Sequence, residues 1–332
     1  MGIKIDLQDF NIQFEELKKK YKIYAPVTLI GKGSFSDSDS IKYKEINSLS
    51  EVEFKKKSNY SAREIIFPIT QTLFYFTEES YIQPRVDEKD AIILLRSCDI
   101  HGIKRLDEIY LSNGREDSYY KILRQKVKFA VIGCQESFEN CFCVDMGTNS
   151  TEEYEMSIEL KNNTVYLNIK DEELNEYFKG EDLNVEPTFV NENKIKVNIP
   201  ENIDNSIFGS EMWEEYNNRC IACGRCNFVC PTCTCFTMQD IFYKDNPKNG
   251  ERRRVWASCH VDKFSDMAGG HGFRTKKGER MRFKVMHKVH DFKKRFGYHM
   301  CVGCGRCDDI CPEYISFSNC VNKLNDAMNE VK

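Results

Sequence analysis

The sequence lacks the features of membrane-bound and exported proteins. It has 332 residues and no apolar run long enough to cross a bilayer. Its N-terminal segment has no apolar signal-peptide region, and Asp6 stands where N-myristoylation requires serine or threonine. We therefore expect a cytoplasmic protein that does not associate with membranes.

The motifs of a self-contained enzyme are also missing. The chain has no G-x-G-x-x-G fingerprint and no P-loop, the usual signatures of dinucleotide and nucleotide binding. We find no Ser-His-Asp set and no paired carboxylates at motif spacing. The glycine-rich run at residues 269–272 fits a turn or a backbone nest. The sequence therefore predicts no hydride-handling or hydrolytic centre in this chain.

Cysteine, by contrast, is abundant. The chain contains 16 cysteines, and a reducing compartment makes a disulfide framework a poor explanation for them. Metal ligation explains them better, because eight of them form two copies of C-x2-C-x2-C-x3-C-P. The first copy is Cys220, Cys223, Cys226 and Cys230, and the second is Cys301, Cys304, Cys307 and Cys311.

This spacing is that of bacterial two-cluster ferredoxins, in which the fourth cysteine of each run binds the other cluster. Gly224 and Gly305 precede the third cysteine of each run and permit close approach of the loop to a cubane. Two four-cysteine zinc sites are the alternative, but two complete runs favour iron–sulfur. We assign one [4Fe-4S] cluster to Cys220, Cys223, Cys226 and Cys311, and the other to Cys301, Cys304, Cys307 and Cys230.

Four earlier cysteines form a candidate third site. The apolar runs at residues 91–95 and 127–132 read as buried strands, and Cys98 and Cys134 follow them directly. If these strands are parallel neighbours, the two cysteines emerge at the same carboxyl edge of the sheet, where open α/β sheets place ligands. We predict a candidate third cluster at Cys98, Cys134, Cys141 and Cys143, which we name the early quartet.

The alternative for the early quartet is that some of its members are small buried hydrophobic residues. We expect that simpler role, core packing, for the four cysteines outside these groups. They are Cys233, Cys235, Cys259 and Cys320.

Positive charge is concentrated in one part of a chain whose net charge is only −4. Residues 251–295 contain 14 lysines and arginines against 5 acidic residues, a local charge of +9. Such a stretch can bind nucleic acid. A cubane with four thiolate ligands is a net anion, however, and nearby cations would offset its charge. We favour compensation of the clusters, or docking of a partner, over binding of nucleic acid.

The pattern of elements predicts an α+β protein. We expect an N-terminal α/β domain with a mixed sheet over residues 1–205, and a two-[4Fe-4S] ferredoxin-like domain with a long insert over residues 206–332. Local signals predict a helix at residues 10–21 and another with Asp99 as its N-cap. They also predict a hairpin around Lys161-Asn162-Asn163, and strands at residues 72–77 and 194–199.

Five segments also match a known family. They are RSCDIHGIKRLDEIYL, CFC at residues 141–143, CIACGRCNFVCPTCTCFTMQDIFY, GERRRVWASCHVDKFSDMAGGHGFR and HMCVGCGRCDDICPEYISF. Through these segments the chain resembles the iron–sulfur electron-transfer subunit of the anaerobic, NADH-linked sulfite reductases. The resemblance extends over nearly the whole chain. The beta subunit of cytoplasmic sulfhydrogenases is similar, with a comparable CDI turn, a CFC element and a PTC after the first run.

The resemblance implies a non-catalytic electron-transfer subunit of an oxidoreductase complex. A partner that binds flavin and NADH would supply electrons, and a sirohaem-containing catalytic partner would reduce sulfite to sulfide. The eight motif cysteines carry over as ligands, and the early quartet matches family positions. The segment HGFRTKKGERMRFKVMHK favours the sulfite reductase. The alternative is the beta subunit of an NAD(P)-linked sulfhydrogenase, whose acceptor is a nickel–iron subunit. An iron–sulfur regulator that binds nucleic acid is less favoured.

Overall fold

A computed structural model describes residues 2–34 and 37–330. No helix within these ranges is both long and apolar enough to cross a membrane. The strands are β1 (Gly2–Asp6), β2 (Tyr21–Leu29), β3 (Ser40–Glu45), β4 (Thr70–Phe76), β5 (Tyr81–Ile82), β6 (Asp90–Leu95), β7 (Val127–Val131), β8 (Met156–Lys161), β9 (Thr164–Ile169), β10 (Glu181–Asp182), β11 (Phe236–Phe242) and β12 (Gly250–Trp256). The helices are α1 (Leu7–Lys20), α2 (Arg63–Ile66), α3 (Ser97–Asp107), α4 (Ser118–Arg124), α5 (Glu172–Asn175), α6 (Glu214–Arg219), α7 (Arg225–Phe228), α8 (Lys277–Met286), α9 (Phe292–Phe296), α10 (Arg306–Asp309) and α11 (Phe317–Glu330).

The chain forms two compact units, each assembled from several segments. Unit 1 contains the chain up to Ala62, then Asp87–Lys194 and the short stretch Val302–Cys304. Unit 2 contains Arg63–Val86, Ile195–Cys301 and the chain from Gly305 onward. Compactness does not show whether a segment folds independently, so the boundary at residues 205/206 stays a prediction.

Unit 1 contains a mixed sheet, as the sequence predicts. Among the described residues its strand order is β10-β1-β9-β8-β7-β6-β2-β3. The pairs β2/β6, β6/β7 and β7/β8 are parallel, and the remaining pairs are antiparallel. The parallel strands β6 and β7 are the two apolar runs that precede Cys98 and Cys134, so both cysteines do emerge at one sheet edge.

The helix α1 packs on this sheet through a stripe of apolar side chains. Phe10, Phe14 and Leu17 recur at helical spacing and are buried in the core of unit 1. The Asp6 carboxylate accepts the amide of Gln8 at 2.8 Å and caps the helix. The helix therefore starts earlier than predicted, and it ends at Lys20 because Tyr21 begins β2.

The predicted N-cap of the next long helix is wrong. Arg96 occupies the N-cap of α3, and Asp99 lies in its first turn. The strand β6 ends at Leu95, so the helix begins almost at once. Asp99 is buried, and its carboxylate accepts a hydrogen bond from the Tyr43 hydroxyl at 3.3 Å. The carboxylate therefore does not cap the helix.

Unit 2 is built around an antiparallel sheet and short helices. Among the described residues the strand order is β11-β12-β4-β5. The predicted strand at residues 72–77 is observed as β4. This strand lies in the predicted N-terminal domain, but it pairs with β12, which belongs to the basic stretch late in the chain. No strand forms at residues 194–199. There the amide side chain of Asn322 binds the backbone of Lys196 and Asn198 at 2.9 Å each.

Candidate metal centre

Five cysteines from the two runs line one cavity of unit 2. They are Cys220, Cys223, Cys226 and Cys311, which are assigned to the first cluster, and Cys307, which is assigned to the second. Burial raises the pKa of Cys220, and the nearby thiolates of Cys226, Cys223 and Cys311 raise this pKa further. The structure thus brings together the four residues assigned to the first cluster, in a site that fits a group with four thiolate ligands.

The backbone of the first run is shaped by two residues with left-handed conformations. Ala222 and Gly224 have φ angles of 58° and 74°. A side chain at Gly224 would come within 2.9 Å of both Ser258 and Val261. The amide of Ala222 donates to Cys220 Sγ at 3.4 Å, a contact that stabilises a thiolate. These features turn the loop so that its side chains share the cavity.

The second run repeats this design. Gly305 has a φ angle of 69° and stands at the N-cap of α10, the position that Gly224 occupies before α7. The amide of Ile315 donates to Cys311 Sγ at 3.4 Å. At the start of the run, the amide of Cys301 donates to the carbonyl of Lys288 at 3.2 Å. Near each run a backbone amide therefore donates to a cysteine sulfur, and a glycine in the left-handed conformation precedes the short helix that contains the third cysteine.

Cys304, the second cysteine of that run, belongs to unit 1. The CFC element at residues 141–143 binds the stretch Val302–Cys304 through two hydrogen bonds. The Phe142 amide donates to the Gly303 carbonyl at 2.8 Å, and Cys141 Sγ donates to the Cys304 carbonyl at 3.5 Å. Gly303 has a φ of 62°, and a Cβ on it would lie 2.5 Å from the Phe142 carbonyl oxygen. The sequence did not reveal this packing of Val302–Cys304 on residues 141–143.

Three members of the early quartet have donors directed at their sulfur atoms. Arg96 Nη1 lies 3.5 Å from Cys134 Sγ, Asn193 Nδ2 lies 3.7 Å from Cys143 Sγ, and Lys57 Nζ lies 3.9 Å from Cys141 Sγ. The fourth member, Cys98, is the second residue of α3 and is partly buried. Cationic and amide donors are the groups that stabilise thiolates.

The early quartet also lies beside Cys304. Burial raises the pKa of Cys143 to about 11, and the thiolates of Cys134 and Cys304 add to this rise in pKa. A thiol with so high a pKa stays protonated at neutral pH unless a metal replaces its proton. The arrangement is therefore consistent with metal ligation and equally with buried neutral thiols.

Sequence reasoning missed three polar side chains in unit 2. Lys284 of α8 and Lys288, two residues beyond the end of α8, are 5 % and 3 % exposed. His260 is 1 % exposed, and its Nε2 atom has no hydrogen-bond partner among the described residues. Burial lowers the pKa of His260 to about 3, so its imidazole is neutral. The excess of lysine and arginine in residues 251–295 was the only sequence signal for these positions.

The cysteines outside these groups are engaged in hydrogen bonds. Cys233 hydrogen-bonds the Cys230 thiolate, which lowers the pKa of Cys230. Cys235 interacts in the same way with Cys259, and this contact lowers the pKa of Cys235 to about 6. Cys320 is fully buried and hydrogen-bonds Tyr216.

A site for one bare metal ion has different requirements. Within residues 2–34 and 37–330, no three side chains of histidine, cysteine, aspartate or glutamate converge closely enough to hold a single ion. A cubane instead offers a separate iron corner to each thiolate.

Comparison with known proteins identifies the clusters and a relative. Residues 219–315 match the family model described as a 4Fe-4S dicluster domain, which indicates two [4Fe-4S] clusters. The chain is 26 % identical to the beta subunit of sulfhydrogenase 2 from Pyrococcus furiosus, over 98 % of this chain and 99 % of the relative. No solved structure matches the chain. The chain is thus similar over almost its whole length to that beta subunit, and it contains a dicluster domain for two [4Fe-4S] clusters.

Proposed function

We propose that this chain conducts single electrons between a flavin subunit that oxidises NAD(P)H and a separate metal-containing catalytic subunit. The two clusters supply one-electron carriers, which a two-electron donor and a one-electron acceptor need between them. The cavity lined by Cys220, Cys223, Cys226 and Cys311 is the observation that supports this proposal most directly. The sequence has no catalytic motif of its own, so its partners would define the reaction.

A hydrogenase of the sulfhydrogenase type is the acceptor that the comparison favours. The similarity to the beta subunit covers both chains almost completely, so that the N-terminal unit as well as the dicluster domain is shared. In this proposal the chain passes electrons to or from a nickel–iron subunit, in a cytoplasmic complex without nucleic acid or membrane.

A sulfite reductase complex is the second candidate. The segment HGFRTKKGERMRFKVMHK, which contains the two buried lysines, resembles the sulfite reductase family more closely than the sulfhydrogenase family. The donor would then be the partner that binds flavin and NADH, and the acceptor would be the partner that contains sirohaem. Both candidates assign the same task to this chain and differ in the identity of the acceptor.

The early quartet would extend the path with a third [4Fe-4S] cluster. Cys98 and Cys134 share one edge of the mixed sheet, and Arg96, Asn193 and Lys57 supply donors to three of the four sulfur atoms. Within unit 1 this set lies beside Cys304, which is a predicted ligand of the second cluster.

One experiment tests the relay and distinguishes its acceptors. The complex is isolated anaerobically through a tag on this chain, and NADH- and NADPH-dependent reduction of protons, elemental sulfur and sulfite is measured. We expect the isolated chain to catalyse none of these reactions, and Cys304→Ser to stop electron flow in the complex. Proton and sulfur reduction would identify the sulfhydrogenase type, and sulfite reduction the other. Turnover by the isolated chain would contradict the relay.

A further inference from the structure

Two lysines are buried on one helical segment of unit 2. The helices α8 and α9 are joined by a π-helical turn, His287–Asp291, and Lys284 and Lys288 lie before and within this turn. Their exposures are 5 % and 3 %. Lys288 Nζ contacts Thr232 Oγ1 at 2.6 Å, and the Lys288 carbonyl accepts the amides of Met300 and Cys301. We call Lys284 and Lys288 the buried lysine pair.

A buried ammonium group is costly unless an anion lies near it. Removing such an ion from water carries a desolvation cost that is large compared with the stability of a small protein. Among the described residues, neither lysine forms an ion pair with a carboxylate. The groups that favour the charged forms are cysteine sulfur atoms, namely those of Cys226, Cys307, Cys233, Cys230 and Cys301. The lysines are therefore balanced by cysteine sulfur.

The two lysines differ in which cysteines surround them. Lys284 lines the cavity of the first cluster and is also influenced by Cys307 and Cys230, which are assigned to the second. Lys288 is influenced by Cys230, Cys233 and Cys301, and the first and last of these are assigned to the second cluster. Its Nζ atom also reaches Cys230 through Thr232, whose Oγ1 atom lies 3.4 Å from Cys230 Sγ. Lys284 is thus near cysteines of both clusters, and Lys288 is near cysteines of the second cluster.

The cavity of the first cluster contains another sign of an absent partner. His260 lines it, and the Nε2 atom is buried without a hydrogen-bond partner in the described part of the chain. A buried polar atom without a hydrogen-bond partner is destabilising. A sulfur acceptor in the cavity would satisfy this atom, as it would the ammonium of Lys284.

We propose that the buried lysine pair sets the reduction potentials of the two clusters, with Lys284 acting on both and Lys288 on the one bound by Cys230 and Cys301. A cluster becomes more negative when it gains an electron, and a fixed positive charge nearby stabilises that reduced form. Because the lysines are shielded from water, their field is screened little by solvent. The pair therefore makes both clusters easier to reduce and does not bind them directly. This inference rests on the two clusters of the proposed relay.

The test is a redox titration of the intact chain. The protein is reconstituted anaerobically, and cluster reduction is followed by electron paramagnetic resonance in wild type, Lys284→Met and Lys288→Met. Methionine keeps the apolar stem of lysine and removes the charge. We expect Lys288→Met to lower one potential, with the equilibrium constant for reduction falling at least tenfold, which is about 59 mV for one electron. Lys284→Met should lower both potentials.

Lys294→Met is the matched control. Lys294 is exposed on α9 of the same helical segment, so that the variant has the same charge change in a solvent-screened position. Both potentials should stay at their wild-type values. Lys288→Arg, which retains the charge, should stay nearer to wild type than Lys288→Met.

Four outcomes are distinguishable. Lowered potentials in proteins with wild-type iron and sulfide content support the inference. Fully loaded Lys284→Met and Lys288→Met proteins whose potentials equal those of Lys294→Met overturn it and leave the relay intact. If the methionine variants lose iron, Lys288→Gln and Lys288→Arg are titrated instead, and equal potentials in these two again overturn it. A wild-type chain that binds no clusters would refute the relay itself.

Discussion

Gly303 is a residue at which an added methyl group has no room. It has a left-handed backbone, and a Cβ would lie 2.5 Å from the Phe142 carbonyl oxygen and 2.6 Å from the Cys143 nitrogen. These atoms are backbone, so they cannot move aside as a flexible side chain would. The absence of a side chain at Gly303 therefore lets Val302–Cys304 pack on the CFC element.

We predict that Gly303→Ala destabilises this packing. A left-handed conformation costs a non-glycine residue about 1–2 kcal/mol, and the steric conflict adds about 1–3 kcal/mol. The midpoint of thermal unfolding should fall, and amide hydrogen exchange at residues 141–143 should accelerate. Gly297→Ala is the control, because Gly297 has a φ of 85° but nothing within 4 Å of its Cβ position. Equal effects of the two variants would contradict the steric account.

His287 gives the stability of unit 2 a dependence on pH. It stacks on Phe283 at 5.8 Å, and burial lowers its pKa to about 4. An unfolded histidine has a pKa of about 6.5. The unfolded state therefore binds a proton more readily below this pH, and stability is lost as pH falls from about 6.5 toward about 4.

We predict that His287→Gln reduces this acid sensitivity. Between pH 7 and pH 5 the wild-type chain should lose up to about 2 kcal/mol more than the variant. Urea unfolding at both pH values, under anaerobic conditions, measures the difference. His271→Gln, in an exposed loop, serves as the control and should follow the wild type. An identical pH dependence of wild type and His287→Gln would show that the imidazole does not titrate as its burial requires.

At the scale of elements, the hairpin β8–β9 was predictable because its signal is local. Asn162 and Asn163 separate two apolar-rich runs and have φ angles of 47° and 60°, as a two-residue turn with left-handed residues requires. The start of α3 was not predictable in the same way. The carboxylate of Asp99 resembles an N-cap in sequence, but contact with Tyr43 engages it in the core.

The left-handed conformation of Asn163 predicts how substitutions there change the stability of the hairpin. Asn163→Val should lower the unfolding free energy by about 1–2 kcal/mol, because a β-branched residue resists the left-handed region. Asn163→Gly should be neutral or stabilising, since glycine adopts this region freely. Thermal unfolding of the two variants measures the contrast. A valine variant as stable as the glycine variant would mean that the turn adopts another geometry.

At the scale of the whole molecule, the chain does not divide into consecutive stretches. The strand β4 pairs with β12, and Val302–Cys304 belongs to unit 1. Both facts depend on contacts between residues more than 150 positions apart, and no local pattern encodes such contacts. The spacing within the cysteine runs, in contrast, is local in sequence and is sufficient to predict the two clusters.

The third cluster makes a prediction about the iron content of the intact chain. Three cubanes would give about twelve iron atoms and twelve sulfides per chain, and two would give about eight. Cys134→Ser should lower the count by about four, whereas Cys320→Ala, in the core of unit 2, should leave it unchanged. A count near eight that Cys134→Ser does not alter would remove the third cluster and leave the early quartet as buried thiols.

The cofactor chemistry was readable from the amino-acid sequence, because the repeated spacing of eight cysteines matches the corners of two cubanes. The hairpin and the parallel strands before Cys98 and Cys134 were readable as well, since these depend on neighbours along the chain. Folding in three dimensions was needed to place Lys284, Lys288 and His260 beside the cysteines. Whether a lysine is buried depends on the residues that pack around it, and those residues come from distant segments of the chain. The two-cluster chemistry follows from the cysteine spacing, and the proposed tuning of the clusters rests on the packing around them.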